Sequence, residues 1–303
     1  MRLTPAQLEA IVRVAEHGSF TRAAETLHLT QPALSHRVAE AERLLGALLF
    51  NRSRRHISIT STGEEVVEAA RRALGAFERG VDRVHSAAEN SPPAVHVAAL
   101  PSLAAVVLPP ALRDLDRPSA RAHYTVTAAH AGDVLSLVVH GTCDLGLTTL
   151  RSTPAPASAQ DVWSRVLHED EFVALLPPAH SLASRHDAVA WPALVKERFI
   201  MPPLSSSLHY ALVETFRSTR HAPSDTLAGG EITVMAGLVA AGLGVAVMPR
   251  LALPLTRFVD LEIRKIEGAR ITRLIHCIGA RDSKIEPASA LLLDAVRTAL
   301  ART

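Results

Sequence analysis

The sequence predicts an α/β protein with an all-α, winged head: three short helices and a small β hairpin, then a long helix, then an α/β body of two lobes. Three observations predict it. Helix start and stop signals crowd the chain up to Gly46, an apolar stripe close to a heptad follows, and from Ala94 strand-like and helix-like segments alternate. A chain of 303 residues also exceeds one ordinary domain. Its 48% hydrophobic and 20% charged residues exclude a disordered or low-complexity chain.

The first helix opens at Thr4, Pro5 and Gln7, where threonine caps, proline is pre-set for the first turn and glutamine closes a capping box. Leu8, Ile11, Val12 and Ala15 give it one apolar face, and Gly18 stops it. Ser19 caps a second helix through Phe20, Ala23, Ala24 and Leu27. A third starts after Thr30, admits Pro32 in its first turn and buries Leu34, Val38, Ala41 and Leu45. Leu48 to Thr60 then reads as a hairpin, with Ile57 and Ile59 alternating with polar neighbours around a basic tip from Asn51 to His56. The formal charge of the whole chain is only +2, so any nucleic-acid surface must be local; between Glu42 and Glu64 there is no acid, while Arg43, Arg52, Arg54 and Arg55 all fall there.

Ser61 and Glu64 offer a further capping box, opening a helix whose apolar residues Val66, Ala70, Ala73, Phe77, Val81, Val84 and Ala88 recur every three or four positions. A helix reaching about 40 Å at 1.5 Å per residue is too long for the head to cover, so the stripe is expected to pair with a second chain. Asn90 to Pro93 mark a linker.

In the body, strands are expected at Val95 to Ala99, His123 to Thr127 and Leu145 to Thr148, alternating with helices at Leu103 to Leu115 and Val134 to Val139. That alternation implies a mainly parallel sheet. The Pro/Ala/Ser stretch Ser152 to Ala159 separates a second group: strands at Val162 to Leu167, Glu171 to Leu176 and Phe199 to Ile200, with helices at Leu208 to Arg217 and Thr233 to Ala241. Strand Arg273 to Ala280 and helix Ala288 to Ala301 are expected to return to the first sheet, leaving a cleft between two lobes. The uncharged run Ile232 to Met248 approaches the length of a membrane span, but Gly237, Gly242 and Gly244 break it into a helix and a short buried strand at Val245 to Val247.

A short helix, a turn and a second helix with polar residues near its start is the geometry that enters the major groove of DNA. On the third helix the outward residues are Gln31, Pro32, Ser35, His36 and Arg37; glutamine can read adenine bidentately, and serine and histidine reach base edges or phosphates. Arg52, Arg54 and Arg55 at the wing supply sequence-independent contacts to the backbone or minor groove. In the cleft, helices starting near Ser102, Gly132, Ser206 and Thr233 would present free N–H groups to an anion, such as a carboxylate. Ser102, His130, Thr148, Ser205, Ser206 and Thr233 add polar groups, Leu103, Pro203 and Met248 apolar lining, and Glu231 an acid; plain helix capping is the alternative role for the hydroxyls.

No Gly-x-Ser-x-Gly, His-Glu-x-x-His or phosphate-loop pattern occurs, and Gly242-Leu243-Gly244 lacks the third glycine of a dinucleotide site, so no enzyme and no cofactor is expected. The 15 histidines show no ligand spacing, so no metal is expected either. Only Cys143 and Cys277 are present, which excludes a disulfide scaffold and fits the cytoplasm, as does an N-terminus without the apolar core of a signal peptide. A thiol redox sensor using those two cysteines is the alternative to ligand sensing.

The runs from Ser19 to Leu27 and from Thr30 to Ser35, Gly46 with Leu49-Phe50-Asn51-Arg52, and Thr60-Ser61-Thr62-Gly63 resemble the winged helix-turn-helix of LysR-type transcriptional regulators. The likeness continues through the linker helix, Asp144-Leu145-Gly146-Leu147 and Val239 to Pro249, which resemble that family's periplasmic-binding-protein-like effector domain. His36 stands where the family often has arginine, Leu44 where a charge is common and Thr62 where alanine is usual. The resemblance adds Ser19, Arg22 and Thr30 to the DNA-binding set. It implies a DNA-binding domain at 1–60, a dimerisation helix at 61–90 and an effector domain at 91–303, with lobe I about 92–160 plus 268–303 and lobe II about 161–267. It further implies homodimers that assemble to a homotetramer on promoter DNA in the bacterial cytoplasm, and a small organic effector, an anion by the cleft chemistry, that alters recruitment of RNA polymerase.

Overall fold

The computed structural model describes residues 3–52, 57–88, 91–117, 122–150, 161–183, 188–281 and 283–303. Two compact units result, Met1–Ser91 with Val139–Thr142, and Pro92–Val138 with Cys143–Thr303.

The first unit contains α1 (Pro5–His17), α2 (Phe20–Thr26), α3 (Gln31–Leu45), β1 (Phe50–Arg52), β2 (Ile57–Ile59) and α4 (Ser61–Ala88). The expected capping box is present: Thr4 N–H donates to Gln7 Oε1 at 2.8 Å, and Gln7 N–H to Thr4 Oγ1 at 3.3 Å. Gly46 ends α3 at φ 68°, where a side chain would be strained. Ile11, Val14, Leu34 and Val38 form the head core, closed by Phe20 edge-on to Phe50 at 6.1 Å. The cap of α4 is Thr60, not Ser61: Gly63 N–H donates to Thr60 Oγ1 at 2.9 Å, and Ser61 is already helical. Any Cβ on Gly63 would lie 2.2 Å from the Leu49 carbonyl oxygen, so only glycine lets α4 start this close to the hairpin.

The second unit runs β3 (Ala94–Ala99), α5 (Pro101–Val106), α6 (Leu108–Asp114), β4 (His123–Ala128), α7 (Ala131–Val139), β5 (Leu145–Thr148), β6 (Val162–Leu176), β7 (Ala188–Ala190), α8 (Trp191–Leu194), β8 (Phe199–Met201), α9 (Ser207–Thr219), β9 (Thr226–Ala228), α10 (Ile232–Ala240), β10 (Ala246–Pro249), a 3-10 helix at Arg250–Thr256, β11 (Glu262–Glu267), β12 (Thr272–Ala280) and α11 (Pro287–Ala301). The single helix expected over Leu103 to Leu115 is two, because the ring of Pro109 cannot sit over the preceding turn and the helix restarts at Leu108. The strand order is β4-β3-β5-β12-β6-β11-β7, with β10 also paired to β6.

This sheet is mixed rather than mainly parallel. β3 is parallel to β4 and β5, but β12 is antiparallel to both β5 and β6, and β10 and β11 are antiparallel to β6. The two strands expected at Val162 to Leu167 and Glu171 to Leu176 are one 15-residue strand. It pairs with β12 along its first part and with β10 and β11 along its second. One core gathers Leu103, Leu145, Ile275 and Leu292, so β12 and α11 do return to the first sheet. The other gathers Phe172, Trp191, Phe199 and Met248. Among the described residues no helix is long and apolar enough to cross a membrane; the run from Ile232 is α10 followed by β10. The expected linker Ser152 to Ala159 lies outside the described residues.

Candidate functional site

α3 presents the residues expected at DNA. Gln31, Pro32 and His36 are exposed, and Ser35 and Arg37 are half-buried. The Gln31 amide donates to Ser35 Oγ at 2.9 Å, joining the two polar groups one turn apart. Ser19 and Thr30 act first as caps, accepting from Arg22 N–H and Ala33 N–H at 3.4 Å each, while Arg22 itself is exposed. Arg54 and Arg55 lie outside the described residues, and for Arg52 only the strand position is described. One residue has no counterpart in the sequence reading. Glu42, buried on α3, accepts from Leu49 N–H at 2.9 Å and Phe50 N–H at 3.3 Å, tying the start of the wing to the helix. Its only sequence signal is an acid inside the apolar spacing of α3.

The proposed pairing stripe on α4 divides. Ala70 is 1% exposed within its own chain, so it is not left for a partner, and Val67, which the stripe did not include, packs into the head core. Val66 and Val81 are half-buried, Ala73 is exposed, and Phe77 and Val84 are 60% and 66% exposed. Among the described residues of the stripe, the apolar surface left without cover is therefore that of Ala73, Phe77 and Val84.

In the cleft the structure brings together Ser102, His130, Pro203, Ser206 and Glu231. His130 Nε2 meets Glu231 Oε1 at 3.3 Å, bridging α7 and α10 at their starts. Ser206 Oγ caps α9, accepting from Leu208 N–H at 3.3 Å. The starts of α7, α9 and α10 all line this space through Ala131, Ser207 and Ile232. Leu103 and Met248 do not line it: both are fully buried, one in each core, because their helix and strand positions face inward. Ser205 and Thr233 are exposed outside it. Thr148, at the end of β5, is fully buried, and its Oγ1 has no hydrogen-bond partner.

The residue missed in the sequence is Arg273. Its guanidinium lines the cleft, and Nη2 donates to Ser102 Oγ at 3.0 Å. Nε donates to Asp170 Oδ2 at 2.9 Å and Nη2 lies in ion-pair contact with the same oxygen at 2.9 Å, while Asp170 Oδ1 accepts from Leu251 N–H at 3.1 Å. Burial pulls the Arg273 guanidinium below its usual range and the Asp170 carboxylate opposes that pull. Arginine nevertheless stays charged, so the cleft has a buried cation at its floor. Ser102, 1% exposed, is thus a prop for Arg273. The free volume among these groups is about 40 Å³. That is roughly the share of one or two waters, so an organic molecule requires the cleft to widen.

Cys143 and Cys277 are both buried. Cys277 faces Leu147 across β12 and β5, which puts Cys143 four residues further along. At 3.3 Å per residue that is about 13 Å, well beyond the 4.4–6.8 Å between Cα atoms of a disulfide. Burial pushes the Cys277 thiol up to about 12, against the smaller pulls of Arg165 and Arg297. Such a thiol is inert.

Comparison with known proteins agrees with this layout. Residues 5–64 match the bacterial regulatory helix-turn-helix protein model of the lysR family, and residues 89–301 match the LysR substrate binding domain. The HTH-type transcriptional regulator CfxR of Cupriavidus necator is 27% identical over 95% of this chain and 89% of its own length. A probable hydrogen peroxide-inducible genes activator of Streptomyces viridosporus is 27% identical over 96% and 94%. In fold, the crystal structure of CbnR, a LysR family transcriptional regulator, gives a TM-score of 0.68 at 21% identity, covering 98% of this chain and 99% of that one. The chain belongs to the LysR family of DNA-binding transcriptional regulators, with a helix-turn-helix head and an effector-binding α/β domain.

Proposed function

We propose that this regulator senses a small organic anion held between the two lobes by Arg273, and that the response is passed to promoter DNA read by α3. The observation that carries the proposal is the meeting of Arg273 with the starts of three helices, α7, α9 and α10, around one cleft. Free N–H groups at helix starts and a fixed guanidinium both favour negative charge. Ser206 and His130 supply hydrogen bonds at the rim, and Glu231 releases His130 when an anion takes its place. A molecule that binds one degree of lobe closure better than another shifts that equilibrium, and only this difference in affinity drives the switch.

At the DNA end, Gln31 and Ser35 read base edges, with His36 and Arg37 beside them, and Arg22, Arg52, Arg54 and Arg55 hold phosphate or minor groove. Ala73, Phe77, Val81 and Val84 pair with the same helix of a second chain, and two such dimers make a tetramer on two-fold promoter sites. The site of action is the bacterial cytoplasm, at promoter DNA within the nucleoid, with RNA polymerase as the final partner. This is a role of binding and switching, with no reaction catalysed.

The experiment is a titration of DNA-binding affinity and thermal stability against a panel of mono- and dicarboxylates, with Arg273→Gln beside the parent. The variant keeps hydrogen-bond donors for Asp170 but loses the charge, so it is less stable than the parent; at a temperature where melting curves show both proteins folded, its effector-free DNA binding stays near parent while the response to the active acid falls at least about tenfold. A variant that responds like the parent contradicts the anion-at-Arg273 reading.

A further inference from the structure

A second cavity of the same unit lies elsewhere. A space of about 620 Å³ lies between the 3-10 helix at Arg250–Thr256, the middle of β6 and the start of β11. It shares no lining residue with the cleft, yet the two are tied together, since Asp170 lines this cavity and its partner Arg273 lines the other. The volume falls inside the 300–1,000 Å³ typical of small-molecule sites.

Its chemistry is amphipathic. Leu253, Val259, Leu261 and Ile263 supply an apolar wall. Arg250 and Arg257 stand at the two ends of the 3-10 helix, exposed and without an ion pair among the described residues. The nearby acids are largely spoken for: Asp170 is held by Arg273, and Glu169 by Arg270 at 3.1 Å, leaving Glu171 as the one acid of the wall without an ion pair among the described residues. The two guanidinium groups without an ion pair offer paired donors to a negative head group, and the wall favours an apolar body.

We propose that this cavity is a second ligand site, taking an amphipathic organic acid whose carboxylate lies at Arg250 and Arg257 and whose aryl or alkyl body fills the space against Leu253 and Ile263. The inference goes beyond the cleft reading and stands without it. It also supplies a route between the sites. Asp170 accepts from Leu251 N–H with one oxygen and from Arg273 with the other, so a ligand that displaces the 3-10 helix moves the seat of Arg273.

The test is calorimetric titration of the full chain with 2-naphthoate, 4-phenylbutyrate and octanoate, and with the neutral amide of each acid that binds. At least one acid is expected to bind, its amide about tenfold more weakly. Arg250→Gln with Arg257→Gln, both exposed and tolerant of change, lowers its affinity by about tenfold or more, and Leu253→Trp, which fills the space, does the same. Ser206→Trp, which fills the cleft instead, leaves it within about threefold. Failure of all three acids to bind overturns the proposal. So does an acid whose affinity survives both the arginine pair and Leu253→Trp, or one lost only with Ser206→Trp, which would place it in the cleft.

Discussion

The guanidinium of Arg273 grips the carboxylate of Asp170 through Nε and Nη2, each at 2.9 Å, across 103 residues of chain. The pair sits where β6 passes from one core to the other, so it is at once a structural clasp and the cationic floor of the cleft. Its energy is asymmetric. Two charges moved out of water roughly repay their desolvation when paired, but either one left alone does not. Asp170→Leu is therefore expected to destabilise the effector domain by about 3–5 kcal/mol, whereas Asp170→Leu combined with Arg273→Met costs much less than the sum of the two single changes. Urea unfolding of the four proteins measures this, and additive losses would mean the two groups do not depend on each other.

Glu42 carries the wing. Its carboxylate satisfies the buried N–H groups of Leu49 and Phe50, and Glu42→Ala orphans both. The expected cost is about 1–3 kcal/mol per abandoned group, with weaker binding to every DNA sequence alike. Glu42→Gln retains one acceptor oxygen and recovers part of the loss. Thermal unfolding and filter binding on unrelated duplexes separate these outcomes, and a change of sequence preference without loss of stability would argue against an anchoring role.

On α4, Phe77 is 60% exposed in the single chain while Ala70 is already buried within it. Phe77→Glu with Val81→Glu places charges in the proposed seam but leaves the head core untouched, so helical content should persist while dimers dissociate. Light scattering decides it: a mass equal to that of the parent means the chains associate through another surface.

The Cys277 thiol, raised to about 12 in the folded chain from an ordinary 9.0, gives a signed pH dependence. Between those values the unfolded state holds fewer protons than the folded one, so stability falls as pH rises, by up to about 1.4 kcal/mol per pH unit from this group. Cys277→Ala should remove that contribution while keeping the rest of the alkaline loss. Unfolding free energies from pH 8 to 10.5 test it; parallel curves for the two proteins would show that Cys277 ionises as easily folded as unfolded.

Local signals carried the head. The Thr4–Gln7 box, the Ser19 and Thr30 caps and the stop at Gly46 each involve residues within four positions of one another, and all are present. The body is legible where apolar period and turn chemistry are local, as in β3, β5 and α10. It fails at β6, where His168, Glu169, Asp170 and Glu171 look like a break between strands because the arginines that neutralise Glu169 and Asp170 lie about a hundred residues away. The cleft fails for the same reason. Ser102, His130 and Ser206 announce themselves as helix-start residues, but Arg273 reads only as the edge of an apolar strand until β12 is laid beside β6.

The central claim is that α3 reads promoter sequence for a paired regulator, and selection of bound duplexes from a random pool tests it most directly. The parent chain should enrich a two-fold symmetric motif, and Gln31→Ala should enrich the same motif with the preference relaxed at one base pair in each half, a loss of about 1–3 kcal/mol of discrimination there. Enrichment of no motif, or of a motif that Gln31→Ala leaves unchanged at every position, would contradict it.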